Sequence, residues 1–86
     1  MFAIEDELHG EPGIEFATKR DAIAELERLA TLPWDQAPNQ APCTSWKTCG
    51  RRYVLVEYDI EVRPWRLVAS VPMLEVTGEG ARWLAE

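Results

Sequence analysis

Histidine and cysteine are scarce. His9 is the only histidine among 86 residues, and Cys43 and Cys49 are the only cysteines. Any proton transfer that depends on imidazole must therefore run through His9, which sits in a turn beside Gly10. No glycine-rich phosphate loop is present, because "GEPG" and "GEG" lack the strand-to-helix setting such a loop needs. No apolar run approaches the roughly 20 residues of a membrane helix. The start, "MFAIEDELHG", is acidic where a secretion signal is basic and then apolar. These absences predict an intracellular, cytoplasmic protein whose thiols stay reduced. A basic excess is also missing. The net charge of −6 argues against non-specific binding to nucleic acid or a membrane surface.

What is present suits a single small domain over residues 1–86. The chain is 47% hydrophobic, ordinary for a folded protein and too apolar for a disordered one. Trp34, Trp46, Trp65 and Trp83 are spread along it, which fits several anchor points on one core better than one binding cage. Charge is uneven. Residues 1–15 hold Glu5, Asp6, Glu7, Glu11 and Glu15 with no Lys or Arg, while residues 47–52 hold Lys47, Arg51 and Arg52 with no acid.

Periodicity marks the elements. Phe2 and Ile4, then Ile14 and Phe16, alternate as two short strands across "HGEPG", where Pro12 and Gly13 suit the second and third positions of a type II turn. "TKRDAIAELERLATL" reads as a helix, with Thr18 and Asp21 in the positions of a capping box. Its apolar face holds Ala22, Ile23, Leu26, Leu29 and Ala30, and Pro33 stops it at Leu32. Residues 33–50 form a long proline-rich loop, with room for a short helical turn begun by Thr44 or Ser45 and ended by a left-handed Gly50. "RRYVLVEYDIEV" then alternates Val54, Val56, Tyr58, Ile60 and Val62 on one face, a half-buried antiparallel strand. "RLVASVPMLEV" continues as a strand with Pro72 at an edge or a bulge, or else begins with a helical turn from Pro64 through Ala69. "ARWL" makes a last short strand, with Trp83 folded inward. The order is β-β-α-loop-β-β-(β): an α+β domain with one amphipathic helix on a small antiparallel sheet. Many unrelated proteins share that plan, so function must come from sites.

The loop carries the chemistry-bearing residues. Cys43, Trp46 and Cys49 are three apart and share one face of a helical turn, the spacing of a packing plug in which thiols act as small apolar groups. A reactive-thiol reading notes Lys47, Arg51 and Arg52 close in sequence, since cations lower a thiol pKa. Yet five residues separate the cysteines, not the two of thioredoxin-like motifs. A zinc reading takes Cys43, Cys49 and His9, completed by Asp35 or Asp59, but lacks the tight cysteine spacing of structural sites. A nucleic-acid reading takes Trp46, Lys47, Arg51, Arg52 and Tyr53 as a small basic and aromatic patch. Glu57 and Asp59, which alternate onto one strand face, read as exposed strand acids.

These weights favour a non-catalytic protein-interaction module that needs no cofactor. Its contact surface is the 33–50 loop, a sheet edge, or both. Trp34 and Trp65, each beside a proline, are the anchors if exposed. The strand at 53–62 pairs across a homodimer if it forms the sheet edge. The alternatives are a thiol- or zinc-dependent site at Cys43 and Cys49 and a weak nucleic-acid contact through Lys47, Arg51 and Arg52.

Overall fold

The computed structural model describes residues 1–7, 13–37, 39 and 50–85. Five strands and one helix follow the expected order: β1 (Phe2–Asp6), β2 (Glu15–Phe16), α1 (Lys19–Ala30), β3 (Arg51–Asp59), β4 (Arg66–Thr77) and β5 (Gly80–Trp83). They form one antiparallel sheet in the spatial order β2-β1-β3-β4-β5. The chain is thus a small α+β fold with a single helix packed on five strands. Among the described residues no helix is long and apolar enough to cross a membrane.

The helix starts where its cap residue lies. Thr18 is extended, and its hydroxyl accepts from the Asp21 amide at 3.2 Å, satisfying one of the free N–H groups of the first turn. Asp21 adds negative charge beside the positive end of the helix dipole. At the other end the Thr31 hydroxyl donates to the Arg28 carbonyl at 2.7 Å. Ala22, Leu26 and Leu29 are buried, and they meet Ile4, Tyr53, Leu55, Met73, Leu74 and Val76 in one core.

Alternation does not reveal which face of β3 the helix takes. The core side chains are Tyr53 and Leu55, while Val54 and Val56 point to the reverse face and are buried there too. Ile60 and Val62 lie beyond the strand end and are exposed. β3 is central, hydrogen-bonded to β1 on one side and β4 on the other, so the condition for its pairing across a homodimer is not met.

β4 is a strand throughout, not a helical turn from Pro64 followed by a strand at Met73. Pro72 satisfies both of its readings. Tyr53 pairs with Leu74 and Val54 with Pro72, leaving Met73 as the extra residue of a bulge. β5 pairs with Leu74–Thr77 only, so Pro72 also lies on a stretch with an open outer side among the described residues. Trp83 pairs with Leu74 but is exposed, a correction to the inward placement expected of it.

Two glycines serve differently from expectation. Gly80, with φ +115°, is the positive-φ residue among those described, so neither Gly13 nor Gly50 is left-handed. Both answer to crowding instead. A Cβ on Gly13 would run into the Ile4 carbonyl, and one on Gly50 would strike the Val76 carbonyl and lie 2.9 Å from Thr77 Cα. Close backbone approach leaves room for hydrogen only.

Candidate functional site

Length sets where the sheet is covered. The twelve residues of α1 span about 18 Å at the helical rise. The twelve of β4 span about 40 Å at the strand rise, which matches the 41 Å long axis of the molecule. One such helix can shield only half of such a strand. Burial along β4 follows: Arg66 to Val71 are all exposed, whereas Met73, Leu74 and Val76 are buried. Arg66–Val71 therefore form an uncovered margin of the sheet: β3 beside them is held on its other side by β1 as far as Tyr58, and only the end of the hairpin past Tyr58 projects as two strands and their turn.

The turn and the uncovered margin are apolar. Among the described residues, six of the eight exposed large hydrophobic side chains fall between Ile60 and Val71: Ile60, Val62, Trp65, Leu67, Val68 and Val71. Leu67 and Val68 keep more than half of their surface in water, at 56% and 51%. Asp59 shapes the bend. One carboxylate oxygen accepts from the Glu61 amide at 3.0 Å, and the other faces the Arg66 guanidinium at 3.5 Å. The loop then passes a cis Arg63–Pro64 peptide and sets the Trp65 ring against Tyr58, centroids 6.2 Å apart and tilted by 47°. The Tyr58 hydroxyl in turn donates to Glu5 at 2.8 Å. This bond to a carboxylate, then burial and the Glu5 charge, raise the Tyr58 pKa above its ordinary 10.0.

At the opposite end of the hairpin a polar knot is buried under the helix C-terminus. The Asn39 side-chain amide donates to the Leu29 carbonyl at 2.9 Å, which also accepts from the Leu32 amide at 3.2 Å, and to the Leu32 carbonyl at 3.1 Å just past the helix end. Its side-chain oxygen accepts from the Tyr53 hydroxyl at 2.8 Å, and its backbone carbonyl accepts from Arg51 Nε at 3.3 Å. Arg51 also pairs with Asp6 at 3.0 Å, and the other Asp6 oxygen accepts from the Arg52 amide at 3.2 Å. Asn39 is fully buried and Arg51 is 9% exposed. The knot ties β1, β3, the helix end and the loop together. Every bond named in it is internal, so its chemistry is that of a clasp.

The candidates from sequence separate accordingly. Trp65 is exposed at 47% on the projecting hairpin. Trp34 is half-buried and packs on the core, its indole lying over the turn at Gly78, where an added Cβ would sit 3.5 Å from Cε2. Arg51 turns inward to Asp6 and Asn39. Arg52 is half-exposed with Nε 3.8 Å from a Glu7 oxygen, a pair of little energetic weight in water. His9, Cys43, Trp46, Lys47 and Cys49 lie outside the described residues, and with them the thiol and zinc readings. Among the described residues no three His, Cys, Asp or Glu side chains gather as a metal would need.

Sequence reasoning missed Asn39, the one asparagine of the chain, because no local pattern marks a loop asparagine as buried. It also missed that Leu67, Val68 and Val71 are exposed. A signal for these existed: a helix of a dozen residues cannot cover a strand of the same count. Comparison of the chain with protein-family models, with curated proteins and with solved structures gives no significant match.

Proposed function

We propose that this protein is a small non-catalytic interaction module whose contact surface is the projecting β3–β4 hairpin. The observation that carries the reading is the concentration of exposed apolar side chains between Ile60 and Val71 on a chain that is otherwise strongly acidic. Contiguous exposed apolar surface on a small protein marks contact sites more often than solvated surface. Trp65, exposed at the hairpin tip and backed by Tyr58, has the size and support of an anchor residue. Trp34 loses that role to the core. The buried knot supports the reading indirectly, because it holds the base of the hairpin rigid and lowers the ordering cost of contact at its tip.

The test compares three forms of the full chain in affinity capture from the native host: wild type, Trp65→Ser/Leu67→Ser, and a form with residues 40–49 replaced by a Gly/Ser linker. A partner that binds purified wild type and is lost with the hairpin variant supports the reading. A partner kept by the hairpin variant and lost with the linker form moves the contact to the loop and overturns it.

A further inference from the structure

We infer that the outer edge of β4, from Arg66 to Val71, pairs antiparallel with the same edge of a second copy of this chain; the inference rests on the hairpin being a contact surface. β4 gives one side of its backbone to β3 along its whole length, but β5 occupies the other side only at Leu74–Thr77. Among the described residues no strand lies beside Arg66–Pro72, and even the small Ala69 and Ser70 are exposed. Such an edge presents a row of N–H and C=O groups, and an antiparallel edge is its own complement about a two-fold axis.

Charge selects the second copy and the place where it meets the first. Residues 58–71 hold Asp59 and Glu61 against Arg63 and Arg66, two acids and two bases, so the whole −6 resides elsewhere. Within this stretch Arg66 already faces Asp59 at 3.5 Å. The opposite margin of the sheet, at β2 and β1, carries Glu5, Glu7 and Glu15, with Asp6 neutralised by Arg51 and Glu7 near Arg52. Two copies meeting there bring like charges together; two copies meeting at the β4 edge do not. A bulge at Val68 puts Leu67 on the Tyr58 face of the sheet and Val71 on the Leu55 face, so a two-fold centred on Ala69 gives each face of the joined sheet one exposed apolar side chain from each copy. The small Ala69 leaves the backbones free to approach at the axis. Pro72, which has no amide hydrogen, closes the pairing.

The experiment is size-exclusion chromatography with light scattering on the full chain. Wild type at about 100 µM, a range suited to a modest edge contact, is expected to run at twice its 9.8 kDa mass and to fall to the monomer mass on dilution. Leu67→Lys/Val71→Lys is expected to be monomeric at every concentration with an unchanged circular dichroism spectrum. Ile14→Lys, an exposed apolar position away from this edge, is expected to stay dimeric. A wild type that is monomeric throughout, an edge variant that still dimerises, or a control that dissociates equally overturns the inference. If the edge variant does not fold, hydrogen exchange on wild type decides: amides of residues 66–71 that slow with rising concentration support the pairing, and unchanged rates overturn it. A monomeric wild type that still loses a partner through Trp65→Ser/Leu67→Ser overturns self-pairing and leaves the hairpin as a contact surface.

Discussion

The Tyr53 hydroxyl on β3 donates to the side-chain oxygen of Asn39 at 2.8 Å, while the Asn39 amide holds the last carbonyls of the helix. One loop residue thus links the sheet to the helix end from a fully buried position. Asn39→Ala removes the acceptor of the buried Tyr53 hydroxyl bond and the donor to the Leu29 and Leu32 carbonyls and is expected to cost about 2–4 kcal/mol. Urea denaturation measures it. A loss under about 0.5 kcal/mol, the scale of a surface change, would show that the clasp is dispensable.

Asp6 and Arg51 form the other half of the same knot. Asp6→Leu alone strands a buried guanidinium and is expected to cost about 3–5 kcal/mol. Asp6→Leu/Arg51→Met removes both charges and is expected to be less destabilised than the single change, since apolar replacement of a buried pair is often near neutral. A double variant as unstable as the sum of its singles contradicts this coupling.

The division of β4 into a covered and an uncovered half sets opposite expectations for similar residues. Leu26→Ala in the helix core is expected to cost about 2–5 kcal/mol. Leu67→Ala on the uncovered half of β4 is expected to lie within about 0.5 kcal/mol of wild type. Denaturation midpoints of the two variants, measured side by side, check the assignment.

Gly50→Ala tests crowding against conformation. At Gly50 the added methyl meets the backbone of Val76 and Thr77, whereas at Gly80 it meets open space but a φ of +115°. Both changes destabilise. Gly50→Ala is expected to cost the more, beyond the 1–3 kcal/mol typical of about one extra methylene in a packed site, because the obstacle is main chain that cannot rotate away. Thermal melts of the two variants rank them.

Tyr58 provides the pH test. Its pKa is raised in the folded chain, so folding holds the phenol proton more tightly than the unfolded chain does. The stabilisation is complete below the ordinary value of 10.0 and is lost as pH rises from there through the folded value. The Cζ resonance of Tyr58 is expected to titrate above 10.0 in wild type and closer to it in Glu5→Gln, which removes the charge that disfavours the phenolate. An identical midpoint in both forms rules out the Glu5 charge as a cause and leaves its hydrogen bond.

Much of the fold was legible because its signals are local. The Thr18 cap, the apolar face of α1 and the alternation of β3 depend on residues two to four apart, and the element order follows from them. The site was less legible. Trp34 and Trp65 each stand beside a proline, yet one packs on the core and the other projects into solvent. Nothing within a few residues of either distinguishes them.

The chain by itself determined where the helix begins, the order of the elements and how much charge the molecule carries, since these follow from caps, periods and counts. Only the tertiary structure decided which face of β3 meets the helix, that β3 is central, that Arg51 is buried beside Asp6, and that half of β4 is left uncovered. Those outcomes depend on residues brought together across the sheet, such as Asp6 and Arg51 at a sequence separation of 45. A sequence pattern with a period of two or four residues carries no record of contacts at that range.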